Sequence, residues 1–224
     1  MNKRLVDEYR EFIYRGEKTP FSLGTLAVAF FCAVLLIVAT FTKIDITHFW
    51  LNFGDGGIAV GKKVFQLVPQ IPVVLFTAAL LGARFSVLTV GIYLIVGFFI
   101  WPVFAFGGGL GYIKSYFFGY ILGFFVAAVF SGRILSIRYS FKNVLLASII
   151  GVLSIHLCGI LYSFILGFFN ASRYCPNFPL IFTQIVYDIV FSVIAILISR
   201  PVKYILWVGM KNEPRKPKVK ENTH

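Results

Sequence analysis

One of the nine acidic residues in this 224-residue chain stands apart by its neighbours. Asp188 lies inside the apolar run "LIFTQIVYDIVFSVIAILIS" (180–199), whereas the other eight fall in polar tails or in the linker that holds Asp45 and Asp55. A carboxylate placed in hydrocarbon costs about 3 kcal/mol or more unless it is partnered, so it marks a functional site by default. On a helix, Gln184, Asp188, Ser192 and Ser199 fall near one face together with Ala195, and Tyr187 stands beside them. That polar stripe must turn toward other helices or a cavity, because lipid offers it no hydrogen bonds. A carboxylate with an amide one turn further out suits a small ligand rich in N–H donors. The plainer reading is a structural hydrogen bond to a neighbouring helix.

A second cluster lies in "WPVFAFGGGLGYIKSYFFGYILG" (101–123), where Gly107, Gly108, Gly109 and Gly111 separate two apolar runs. Glycine tolerates positive φ and lets the backbone approach another molecule closely. A tight turn needs only one or two. The stretch reads as the backbone of a lid over a pocket between helices, with Tyr112, Tyr116 and Tyr120 as flat walls and Lys114 as a cation. His156, mid-run in "GVLSIHLCGILY", reads first as a hydrogen-bonded packing histidine. Paired with Asp188 it could instead serve an integral membrane enzyme acting on lipids, which requires the two side chains to converge. The sequence contains no Walker phosphate loop, HExxH motif or GxSxG elbow, and one buried acid without a base or nucleophile is a poor start for catalysis. No metal spacing or cofactor motif stands out, and the three cysteines are scattered.

The elements that hold these residues are membrane helices. The chain is 58% hydrophobic and only 13% charged, about half the charged share of an ordinary soluble domain. Runs of about 20 apolar residues, the length that crosses hydrocarbon, follow one another. The expected fold is an all-α, polytopic bundle of six transmembrane helices near 22–42, 64–82, 86–106, 117–136, 143–169 and 178–198. The second is the weakest, because Pro69 and Pro72 sit in its first half. Sixteen of the 21 Lys and Arg residues then lie in the tails and inner connections, against five outside (Lys43, Lys62, Lys63, Lys114 and Arg173). Positive charge collects on the cytoplasmic side, so both termini are expected to be cytoplasmic in a plasma-membrane protein. The same distribution accounts for the net charge of +12 without nucleic acid.

Residues 1–20 are too charged for a cleavable signal peptide and space Leu5, Val6, Tyr9, Phe12 and Ile13 as an amphipathic helix would. Residues 21–208 form the expected substrate-binding domain, and 209–224 a basic disordered tail. The pairs Ala29/Ala33 and Gly119/Gly123 have the spacing that permits close helix approach.

Residues 68–124, within "LVPQIPVVLFTAALLGARFSVLTVGIYLIVGFFIWPVFAFGGGLGY" (67–112) through "FGYILGF" (118–124), resemble the biotin transporter BioY family. Its members are substrate-binding S components of energy-coupling factor transporters. The resemblance implies six helices, biotin captured from outside beneath the glycine loop, and Asp188 as an acceptor for the N–H groups of the ureido ring. It also implies a transmembrane coupling subunit meeting an AxxxA face, here Ala29 and Ala33, and two ATP-binding subunits as the energy source. Gln184 and Tyr187 would orient the ligand, and the loop tyrosines would enclose its bicyclic ring. The family's lysine three residues after the acid is Phe191 here, which leaves Lys114 as the candidate partner for the biotin carboxylate. An S component for another small vitamin is the nearest alternative.

Overall fold

The computed structural model describes Asp7 and residues 22–54, 57–169 and 178–211; the expected N-terminal amphipathic segment and the tail beyond Lys211 lie outside the described residues. Helix α1 spans Leu23–Phe41, opened by Ser22, whose hydroxyl accepts from the Thr25 N–H at 3.1 Å. Next comes an antiparallel ribbon of β1 (Ile44–Gly54) and β2 (Gly57–Leu67), paired from Ile44↔Leu67 to Gly54↔Gly57.

The membrane-crossing elements are all helical, as expected, and the ribbon between them corrects the placement of a span's start at residue 64. Its signal was present. Asp55-Gly56 between two runs of strand-forming residues is a strong short-range hairpin cue. Alternation follows in β2, where Phe65 and Leu67 are buried while Val64 and Gln66 are exposed.

Helix α2 covers Gln70–Ile95 and runs into a π-helical turn at Val96–Ile100. It is not straight. Gly82 has φ 75° and ψ 173°, and the chain folds back there on itself. The Thr77 and Ser86 hydroxyls meet at 3.0 Å, and the Gln70 side-chain amide reaches the Tyr93 hydroxyl at 3.2 Å. On a continuous helix, residues 70 and 93 would be about 35 Å apart. Residues 70–95 are therefore a hairpin of two helical arms turning at Gly82. Pro72 sits in the first turn, where backbone N–H groups have no helical partner, so the proline that weakened the prediction is harmless.

Helices α3 (Phe118–Ile137), α4 (Phe141–Phe169) and α5 (Phe178–Lys211) complete the described chain. Their long lipid-facing sides carry Phe130, Leu157, Leu161, Phe182, Val190 and Ile198 exposed. Among the described residues, five helices, counting α2 once, are long and apolar enough to cross a membrane. This is a multi-pass membrane protein.

Small residues set the helix spacing. A Cβ on Gly119 would lie 2.3 Å from that of Tyr162, and one on Gly123 2.7 Å from Ile155 Cα, so α3 and α4 touch almost backbone to backbone. Gly132 does the same against Ala83 at the α2 turn. Ala29 and Ala33 are likewise buried, Ala29 among Leu80, Leu81 and Phe85 of α2, and the Thr89 hydroxyl donates to the Ala29 carbonyl at 3.3 Å. Both alanines therefore face the interior of this chain, where Ala29 packs α1 on α2, whereas the sequence reading expects them on an outward face for a coupling subunit. The outward side of α1 carries Phe30, Phe31, Val34 and Val38 instead.

Candidate ligand-binding site

Three helices converge on one polar point in the apolar interior. His156 of α4 and Asp188 of α5 are both almost fully buried, and Nε2 of the imidazole lies 3.1 Å from Oδ2 of the carboxylate. Tyr120 of α3 meets the imidazole edge to face, with ring centroids 5.7 Å apart and planes at 90°. Gly159, one turn beyond His156, makes room for it: a Cβ there would lie 2.5 Å from the Tyr120 ring. Ser192, one turn below Asp188, is also fully buried.

Hydrogen bonding at this point is incomplete. Among the described residues, His156 Nδ1, Asp188 Oδ1 and Ser192 Oγ are buried polar atoms without a protein partner. Buried polar groups almost always find partners, because leaving one unmade costs about 1–3 kcal/mol. Two of the three belong to the His156–Asp188 pair, and the third lies one turn along α5. The deeper part of the α5 stripe is satisfied within the protein, since the Ser199 hydroxyl donates to the Ile196 carbonyl at 2.6 Å.

Above this point, toward the start of α5, Tyr187 stacks on Phe65 of β2 with centroids 6.0 Å apart, so the ribbon covers that shoulder of the helix. Gln184 is half-buried one turn away from Asp188. The glycine stretch folds back on the end of α2. Phe104 and Gly107 exchange backbone hydrogen bonds at 2.9 and 3.1 Å, and the Gly109 N–H donates to the Gly97 carbonyl at 2.8 Å. Gly109 adopts φ 76° and ψ 172°, a conformation essentially reserved for glycine. Gly108 has no room for a side chain, as a Cβ would lie 2.4 Å from Pro102 Cα. Gly111 opens onto free space.

A 3₁₀ turn (Leu110–Lys114) then ties the loop to α4. The Tyr162 hydroxyl donates to the Ile113 carbonyl, and the Ser163 hydroxyl donates to the Tyr116 carbonyl at 3.5 Å. Ser163 is seven residues along α4 from His156, about 10 Å of helix rise. The loop thus sits over the C-terminal end of the helix that carries the histidine.

The predicted site residues divide accordingly. Asp188 and Tyr120 meet at His156, and Tyr187 and Gln184 lie on the outer side of Asp188. Tyr112 is instead a buried loop anchor, 4.6 Å from the Phe104 ring, and burial pushes its hydroxyl up to about 12. Lys114 is exposed at the end of the 3₁₀ turn. Sequence reading missed Phe65, whose strand it had assigned to a helix, and it gave His156 a packing role. A titratable residue in each of two neighbouring spans was the available clue. His156 and Asp188 do converge, as the membrane-enzyme alternative requires.

The BioY family profile matches residues 15–206. A relative from Lysinibacillus sphaericus, a probable biotin transporter BioY, is 34% identical over 109 residues, 46% of this chain and 56% of that protein. The chain spans about half the length of that relative. Among solved structures, an S component for biotin from an ECF-type ABC transporter superposes with a TM-score of 0.58 over 80% of this chain and 90% of its own, at 18% identity, and so shares the fold. With well over half of its length matched by the profile, the chain belongs to the BioY family.

Proposed function

We propose that this protein is the substrate-capturing membrane component of an ATP-driven vitamin importer of the energy-coupling factor type, and that its ligand is biotin. The observation that carries the reading is the buried Asp188 carboxylate with one oxygen held by His156 and the other unmatched. A ureido ring brings N–H donors to such an oxygen. Gln184 and Tyr187 guide the ring toward Asp188, Tyr120 and Tyr116 flank it, and Gly107–Gly111 close the outer side. Lys114 neutralises the ligand's carboxylate near the surface. A His–Asp pair alone would serve an enzyme equally well; membership of the BioY family favours transport. The relative's name supports biotin as the ligand.

The two arms of α2 each count as a crossing, which makes six. A helix folded back on itself returns the chain to the side where it began, so the termini share a side. The basic residues Arg84, Arg133, Arg138, Lys142, Arg200 and Lys203 fall at one end of this arrangement, which supports a cytoplasmic placement of both termini in the cell membrane. The partners are a transmembrane coupling subunit and two ATP-binding subunits, docked on a surface other than Ala29 and Ala33.

Purified chain in lipid nanodiscs, heated with biotin, biotin amide and a panel of unrelated vitamins, tests the ligand. Biotin at 1,000 times its dissociation constant adds about 4 kcal/mol of stability and raises the melting temperature clearly. Biotin amide, without the charge for Lys114, gives a smaller rise. No rise with biotin, or an equal rise with an unrelated vitamin, would sink the reading.

A further inference from the structure

The second arm of α2 and helix α3 lie side by side in opposite directions. At one end of the pair the Phe98 and Phe118 rings meet, with centroids 5.8 Å apart. At the other end a Cβ on Gly132 would lie 2.5 Å from the Ala83 backbone nitrogen, so the two backbones touch. The residues that follow these two in the chain are Arg84 and Arg133, and both are exposed. Neighbours of two touching backbones stand close together, so this end of the seam carries two guanidinium groups. Among the described residues, neither has a carboxylate partner. Like charges placed together repel, and an anion between them replaces that repulsion with charge-assisted hydrogen bonds.

Further along the seam, toward the middle of both helices, the surface is apolar. Leu88 follows Arg84 by one turn, Phe130 precedes Arg133 by one turn, and both side chains are exposed. Gly91, about one turn beyond Leu88, has nothing within 4 Å of an added Cβ, which leaves a shallow notch in the helix surface. A cationic end and an apolar flank therefore succeed one another along a line running into the membrane.

We propose that this seam binds one anionic phospholipid, with its phosphate between Arg84 and Arg133 and an acyl chain along Leu88, Gly91 and Phe130. Planar guanidinium forks match phosphate oxygens, and their stems reach the headgroup level from helix ends. Arg138 and Lys142 are also exposed and lie past the end of α3. They add the general attraction of a basic end for anionic lipid, which depends on charge alone.

Native mass spectrometry of the full chain, released from nanodiscs that hold equal phosphatidylglycerol and phosphatidylcholine, tests the site. The wild type is expected to retain phosphatidylglycerol about 10- to 30-fold over phosphatidylcholine, at roughly fivefold per arginine. Arg84→Gln with Arg133→Gln is expected to cut that preference to about 3-fold or less, while Arg138→Gln with Lys142→Gln, which removes the same charge, retains most of it. All four side chains are exposed, and unchanged melting temperatures confirm that both double variants fold. Inorganic phosphate at matched ionic strength is expected to leave the retained lipid of the wild type in place, because the acyl chain also holds it.

Equal losses in the two double variants would reduce the effect to bulk charge and overturn the site. Displacement of the lipid by phosphate alone would overturn the two-part seam. No preference in the wild type would overturn the lipid altogether and leave the arginines to acidic residues of a partner protein.

Discussion

Asp188→Ala is expected to weaken biotin binding by about 1,000-fold or more, the loss that follows when a charge-assisted hydrogen bond disappears and its partners are left buried and unpaired. In the proposed site two groups depend on this carboxylate: the ligand's N–H at Oδ1 and, as observed, the His156 ring 3.1 Å from Oδ2. Asp188→Asn separates them. The amide keeps the shape and one acceptor but cannot hold a negative charge, so affinity falls by about 10- to 100-fold. Equilibrium binding of radiolabelled biotin measures both variants, and their melting temperatures without ligand confirm that they fold. Undiminished affinity in Asp188→Asn would remove Asp188 from the site.

The second large effect concerns architecture. Gly82 holds φ 75° and ψ 173° at the α2 turn, a region open essentially to glycine alone, so Gly82→Ala costs about 1–3 kcal/mol in strain. Alanine also favours the competing conformation, a continuous helix from 70 to 95 about 39 Å long. That helix would separate Gln70 from Tyr93 and Thr77 from Ser86, and would pull Ala83 away from Gly132. The melting temperature is expected to fall by about 3–10 °C. Gly91→Ala, in the same helix with nothing within 4 Å of the added methyl, is expected to leave it unchanged or slightly raised. Equal behaviour of the two variants would mean that the turn at Gly82 is not a constraint on the fold.

Hydropathy made the membrane class legible, since an apolar run of crossing length has few other stable fates. Hydropathy divides the α2 region into two spans, and nothing in the local sequence singles out the glycine at which the helix turns. Gly82 sits among good helix formers, and only its backbone angles reveal it. The ribbon was missed because the stretch before residue 64 was read as a linker between spans, although Asp55-Gly56 supplies a hairpin cue.

Asp188 was legible as a buried acid because a carboxylate in hydrocarbon demands a partner. Its partner was not, because which residue of α4 faces which residue of α5 is set by the packing of whole helices. Ala29 and Ala33 illustrate the same limit. Their spacing correctly signals close approach, and spacing does not say whether the approaching helix belongs to this chain or to another.

The measurement that bears most directly on the central claim is a structure of the protein determined with biotin present. The expected result is density for the bicyclic ring against His156 and Asp188, beneath Gly107–Gly111, with a ring nitrogen about 3 Å from Oδ1. Biotin bound at another place, or a saturated sample with the Asp188 oxygen still unmatched, would contradict the account.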